Sequence, residues 1–163
     1  MIVNIKKLQE DAIIPFSATE YSAGKDLTAV SKMYDAEHDC YVYGTGLAIE
    51  IPKGYVGLIF PRSSNRKTNF YMCNHVGVID SDYRGEIMLS FKNRTSNFII
   101  NVINAILKVL KVNTNFGEDF GIYNVNDRIG QLIILPYPQI EFVEVNELSE
   151  TQRGVNGHGS TGR

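Results

Sequence analysis

The chain is poor in cysteine, carries no sizeable excess of one charge and has no apolar run long enough to cross a bilayer. Each absence removes a class of function. Its two cysteines, Cys40 and Cys73, lie far apart and form no Cys-x-x-Cys or Cys/His spacing, so a metal site or disulfide framework has no support and reduced thiols are the default. A formal net charge of -2 gives no electrostatic footprint for a nucleic acid polymer, although a small phosphorylated ligand needs only a local arginine cluster. The opening stretch MIVNIKKLQED has no apolar core of the kind a signal peptide needs and alternates like a strand, which points to a cytoplasmic protein. Internal repeats and low-complexity tracts are missing as well.

What is present reads as one domain with a substantial core, at 163 residues with 44% apolar and 21% charged side chains. Period-two alternation recurs along it. Leu47, Ile49 and Ile51 alternate with Ala48 and Glu50, Val56, Leu58 and Phe60 with Gly57, and Ile87, Leu89 and Phe91 with Met88 and Ser90. With RIGQLIIL at 128–135 and IEFVEV at 140–145, these are short half-buried strands between Gly, Pro, Asn and Asp turns, predicting a mainly β sandwich, barrel or jelly roll. Between Ile99 and Val112 the polar residues Asn101, Asn104, Lys108 and Lys111 fall at helical spacing among Ile, Val, Leu and Ala, which predicts a helix with a wide apolar face, the abundance of β-branched residues leaving a strand as the competing reading. Such a helix falls short of the roughly 20 residues a bilayer requires. The NTNFGEDFG that follows reads as a surface loop over 113–121.

Five segments offer polar chemistry: SAGKDL at 22–27, PRSSN at 61–65, NHVGVIDSDYRGE at 74–86, DRIGQL at 127–132 and RGVNGHGSTGR at 153–163. Guanidinium forks and hydroxyls suit phosphate oxygens, and a glycine-rich tail can wrap closely around a ligand. In the third segment, Gly77, Val78 and Ile79 read as a strand that a flat ring could approach, closed by Asp80, with Asp82 and Tyr83 in a turn and Arg84 and Gly85 leading into the next strand. This reads as a hairpin pocket with a carboxylate at its mouth, placed to serve as a general base for water.

The order and wording of these segments closely resemble the trimeric dUTP pyrophosphatase (dUTPase) family, whose motifs take the forms AGxDL, PRSS or PRSG, GxIDxDYRGE, RIxQL and RGxGGFGSTG. The resemblance covers nearly the whole chain. It implies a β jelly roll over 1–152 with a helical insertion between the third and fourth motifs, and a C-terminal lid over 153–163. It further implies a homotrimer with active sites between subunits, hydrolysing dUTP to dUMP and pyrophosphate with Mg²⁺ on the triphosphate. By the same resemblance Asp80 would activate the water that attacks the α-phosphorus and Gln131 would position that water or the α-phosphate. Asp26 would face Mg²⁺ through coordinated water, while Arg62 and Ser63, supported by Ser64, would hold the phosphate chain. Uracil would be read by the stretch from Asn74 through Gly77, Val78 and Ile79, mostly through backbone groups, and Tyr83 would stack on the deoxyribose and exclude a ribose hydroxyl. In the tail, Arg153, Ser160 and Thr161 would clamp the outer phosphates, with His158 and Gly159 against the uracil.

This sequence departs from the family pattern in several places. His158 stands where relatives usually have Phe and Asn156 where they often have Gly, which predicts a lid that closes less firmly. Lys25 fills a variable position that is often aromatic. An insertion of roughly 95–119 replaces a short turn and contains the apolar helix, whose first-choice fate is packing on its own subunit, ahead of a trimer neighbour or a protein partner. dCTP deaminases resemble dUTPases but place a catalytic glutamate where this chain has Ser90, in GEIMLSF. A nucleotide-sensing regulator that uses the insertion is the reading from another class. No membrane or nucleic acid partner is expected.

Overall fold

In the computed structural model, residues 1–94, 97–111 and 123–156 are described. The alternating segments form ten strands: β1 (Asn4–Lys7), β2 (Lys25–Thr28), β3 (Ser31–Asp35), β4 (Cys40–Gly44), β5 (Leu47–Glu50), β6 (Tyr55–Pro61), β7 (Phe70–Met72), β8 (Gly77–Ile79), β9 (Met88–Asn93) and β10 (Arg128–Pro136). Two four-stranded antiparallel sheets, ordered β2-β10-β6-β8 and β3-β4-β9-β7, stand beside a β1-β5 ribbon. The fold is mainly β, as the alternation predicts, and among the described residues it carries one α-helix, α1 (Asn97–Val109), between β9 and β10. Among the described residues no helix is long and apolar enough to cross a membrane.

The core lies between the two sheets, where Leu27, Ile59, Leu89, Phe91, Ile129 and Leu132 are buried. Tyr43 anchors one end of it, stacking edge-on against Phe91 at 5.7 Å while its hydroxyl donates to the Tyr123 carbonyl at 2.9 Å. Burial keeps that phenol protonated far above its ordinary range.

Several expectations are overturned. On β6 the buried residues are Gly57 and Ile59, whereas Val56, Leu58 and Phe60 are only half-buried. Gly57 faces inward because Ile51 and Leu132 already fill the space a side chain would need. IEFVEV is not a strand: residues 140–145 have no strand partner among the described residues, and Phe142 is 93% exposed. Its alternation meets no free sheet edge within one protomer. The turn after Asp80 does not close a hairpin, because β8 pairs with β6 in one sheet and β9 with β4 and β7 in the other. Along α1, Ile103 and Leu107 are half-buried, whereas Ile99, Val102, Ile106 and Val109 are exposed and the neighbouring Leu110 with them, so a row of apolar side chains is left uncovered. The predicted loop at 113–121 lies outside the described residues.

Candidate active site

The polar segments assemble into two groups on opposite sides of β6, one on β2 and β10 and the other at β8. The first is built on β2 and β10, where Gln131 pairs with Asp26, Gly130 with Leu27 and Arg128 with Thr28, a register shift between 128 and 130 marking a β-bulge. The bulge puts Arg128 and Gln131 on the face that carries Asp26, although their spacing of three would separate them in a regular strand. The Asp26 side chain is 10% exposed, a setting in which a carboxylate is tolerable only when paired. It accepts from Arg62 Nε at 2.8 Å and Nη2 at 3.3 Å, and from Arg128 Nη1 at 3.0 Å. Two guanidinia against one carboxylate leave the group with a net charge of +1.

Arg62 is delivered by the end of β6 and opens the 3-10 turn Ser63–Lys67. Its Nη1 donates to Ser64 Oγ at 3.4 Å, and Ser63 is exposed beside it. Gln131 lies against Gly24 and donates from Nε2 to the Pro61 carbonyl at 3.2 Å. Beneath the turn Asn65 is fixed by three hydrogen bonds, donating to the Phe70 carbonyl at 3.2 Å and accepting from Thr68 at 3.1 Å and Tyr123 Oη at 3.2 Å. The 3-10 turn is thus held from below by a phenol whose pKa burial raises, against the lowering effect of Ser64 and Arg62.

The second group is a cleft of about 270 Å³ between the edges of β8 and β9, lined by residues that include Asn74, Gly77, Val78, Ile79, Cys73 and Met88. β8 pairs on one side only, with β6, so its other backbone edge faces the cleft. Gly77 is buried there because a Cβ would sit 3.3 Å from Ile59 and 3.5 Å from the Asn74 amide nitrogen. Burial, with Cys40 nearby, raises the pKa of the Cys73 thiol. Asp80, which follows the cleft-lining Ile79 in the chain, and Tyr83 are both exposed, and Tyr83 folds back over Gly85 to donate to the Glu86 carbonyl at 3.0 Å.

The ladder keeps the groups apart within one chain. Ile79 pairs with Gly57, so Asp80 lies beyond it toward Val56, whereas Gln131 pairs with Phe60 on the other side of β6. Four residues of strand amount to about 13 Å and two strand spacings to about 10 Å more across the sheet. Asp80 therefore does not reach Gln131, Arg62 or Asp26 in its own protomer. Arg153 is exposed and spends its Nε on the Asn156 carbonyl at 3.1 Å. His158, Gly159, Ser160 and Thr161 lie outside the described residues.

Sequence reasoning missed Arg128, Tyr123 and the close packing of Gly24 on Gln131. Arg128 falls within the DRIGQL segment, but the β-bulge that turns it toward Asp26 cannot be read from that segment.

The dUTPase family model matches residues 10–114 and 108–162. The chain is 40% identical, over the whole of both chains, to the deoxyuridine 5'-triphosphate nucleotidohydrolase of Nautilia profundicola. Its structure is similar to that of a Staphylococcus bacteriophage 80alpha dUTPase with dUpNHpp, with TM-score 0.73, 26% identity and 99% of each chain covered. A phage phi11 dUTPase variant from S. aureus, described with a structural Mg(II) ion, shares the fold at TM-score 0.65 and 24% identity over 90% of this chain and 98% of that one. With matches of this extent, and with the motif residues grouped on one fold, the chain belongs to the dUTPase family.

Proposed function

We propose that the protein hydrolyses dUTP to dUMP and pyrophosphate in sites assembled between the protomers of a homotrimer. The observation that carries this reading is the division of labour in the chain: a cleft of about 270 Å³ whose lining strand β8 runs directly into Asp80, and a separate guanidinium and hydroxyl cluster of net positive charge. Uracil enters the cleft edge-on, where fixed backbone donors and acceptors of β8 reject cytosine by leaving buried polar groups unpaired. Tyr83 packs on the deoxyribose. Asp80 takes a proton from water, whose oxygen bonds to the α-phosphorus as the bond to the bridging oxygen breaks and pyrophosphate leaves. Arg62, Ser63 and Ser64 of a neighbouring protomer hold the phosphates, and its Gln131 orients the water or the α-phosphate. The tail, Arg153 with His158, Gly159, Ser160 and Thr161, closes over the nucleotide and excludes other water.

Asp26 is the carboxylate beside the phosphate-holding residues, and no cluster of three His, Cys, Asp or Glu side chains occurs among the described residues. That donor set fits Mg²⁺ held mainly by phosphate oxygens and water, with Asp26 reaching it through a water. The bound ion would offset charge on the triphosphate.

Trimerisation is supported by unused apolar surface. Ile140, Phe142, Val143, Val145 and Leu148 are exposed along the C-terminal arm. An apolar cleft of about 340 Å³ between β1, β5 and β10, lined by Val3, Ile5, Ile14, Ile49, Leu132 and Ile134, is of a size to receive such side chains from another protomer. A cytoplasmic location fits two free thiols.

The test is pyrophosphate release from dUTP, dTTP, dCTP and UTP with and without Mg²⁺, on protein whose mass is measured in solution. Selective, Mg²⁺-dependent turnover of dUTP by a species of three times 18.3 kDa is expected. Equal turnover of dTTP, or an active monomer, would refute the reading. A second reading, in which nucleotide occupancy controls a protein docked on the insertion, is favoured by the exposed stripe of α1. Asp80→Asn separates the two, since hydrolysis falls by orders of magnitude while ligand-controlled docking persists.

A further inference from the structure

Arg62 and Arg128 share the Asp26 carboxylate on unequal terms. Arg62 spends Nε and Nη2 on Asp26 and Nη1 on Ser64. Arg128 spends only Nη1, on Asp26 Oδ2, so the rest of its fork makes no hydrogen bond among the described residues. Its side chain is 44% exposed against 23% for Arg62. The bulge between 128 and 130 is what turns this side chain onto the Asp26 face. A cation that is half exposed, aimed by an irregularity and steadied through one nitrogen by a buried carboxylate is held ready for an anion.

We propose that Arg128 is a phosphate-binding residue of this site and that it contacts the chain beyond the α-phosphate. The assignment rests on the hydrolase reading above. The position along the triphosphate follows from register: Gln131 sits opposite Asp26 and Arg128 opposite Thr28, two residues along β2, or about 6–7 Å. With Gln131 at the α-phosphate and the Arg128 guanidinium tied to Asp26 through Nη1 alone, its remaining nitrogens, on a side chain that starts farther along β10, are the donors assigned to the β- or γ-phosphate. Arg62 Nη2 and Arg128 Nη1 both donate to Oδ2 of Asp26, so the two forks act from one anchored point. Asp26 then has a role besides its water-mediated approach to Mg²⁺, that of spacing two cations which would otherwise repel.

The experiment measures the affinity of the assembled protein for dUpNHpp, a non-cleavable triphosphate analogue, and for dUMP, in wild type, Arg128→Ala and Arg128→Lys. Loss of a charge-assisted contact predicts analogue binding weaker by about tenfold to a hundredfold in Arg128→Ala. Affinity for dUMP stays within twofold, and Arg128→Lys recovers part of the loss because it keeps the charge without the fork. If Arg128→Ala fails to fold, the selective weakening is read from Arg128→Lys alone. Equal weakening of dUMP and analogue, or no weakening of either, overturns the assignment and leaves Arg128 a structural partner of Asp26. A wild-type protein that binds the uracil analogues no better than their thymine counterparts defeats the hydrolase reading itself, and this assignment with it.

Discussion

Replacing Gly24 by alanine should silence catalysis while leaving the fold nearly untouched. A Cβ at position 24 would lie 2.5 Å from Gln131 Oε1 and 3.3 Å from Gln131 Cβ and Cδ. Carbon and oxygen settle no closer than about 3.3 Å, so the amide must retreat by about 0.8 Å. The obstacle is the end of a flexible side chain rather than backbone, which makes the movement cheap. Its stability cost is the Gln131 bond to the Pro61 carbonyl, a neutral contact worth about 1 kcal/mol. Alanine offsets about 0.4–1 kcal/mol of that by restricting the unfolded chain. Net stability should therefore change by less than about 1 kcal/mol, whereas a displacement near 1 Å at a group that orients water or phosphate costs about a hundredfold in rate. Pyrophosphate release and denaturant unfolding on the same preparation decide the matter. A variant with wild-type kcat, or one whose activity falls only in step with its stability, would show that Gln131 is not held to its task by Gly24.

Further outcomes follow from other close contacts and exposed groups. Gly85→Ala places a methyl 2.6 Å from Tyr83 Cζ, so the ring must swing off the sugar position, and the ratio of dUTP to UTP turnover should fall by about tenfold; an unchanged ratio removes Tyr83 from sugar selection. The thiol of Cys73 is disfavoured as thiolate by burial, so iodoacetamide should alkylate it more slowly than free cysteine near pH 8, faster as pH rises, and more slowly again with dUMP in the cleft it lines. Because its folded pKa is raised, the stability linked to this group is present below the ordinary thiol pKa and lost as pH climbs through the folded value. Val102→Glu with Ile106→Glu alters side chains that are exposed in the protomer, so unfolding should shift by no more than about 0.5 kcal/mol per site; dissociation of the assembled protein would instead place α1 between protomers.

The elements legible in the sequence are those whose burial is decided inside one chain. From Ile87 into β9, Ile87, Leu89 and Phe91 are buried with Met88 exposed, because one face of the strand meets the core, while β5 buries Ala48 as well as Leu47 and Ile49 and so is covered on both faces. β6 deceived because three bulky residues, Val56, Leu58 and Phe60, occupy the face that the sandwich leaves half-covered, while the inward face carries a glycine whose space is taken by Ile51 and Leu132. The stretch 140–145 deceived for a related reason: alternation shows that a segment could lie on a sheet, and Ile140, Phe142, Val143 and Val145 are exposed because the described residues of the protomer offer it none. Chain neighbours on either side of Asp80 suggested a hairpin, yet a sandwich also uses such turns to pass from one sheet to the other. At the site, residue types announced phosphate chemistry, but strict counting by twos assigns Arg128 and Gln131 to opposite faces and only the bulge reunites them.

The separation of Asp80 from the guanidinium cluster makes the partition of the site testable without any structure of a complex. Asp80→Asn removes the proposed base and Arg62→Ala removes a phosphate ligand, and each homotrimer should be inactive. In co-expressed mixed trimers, a site works when the cleft comes from an Arg62→Ala protomer, which retains Asp80, and the cluster from an Asp80→Asn neighbour, which retains Arg62. With random assembly at equal abundance this holds for about a quarter of the sites, so activity should recover to about 25% of wild type. A site wholly within one chain predicts no recovery at any mixing ratio, since every protomer then carries a lesion. The register of β8 and β10 on β6 excludes that arrangement for a rigid protomer, and recovery near a quarter would tie the chemistry of each site to assembly of the trimer.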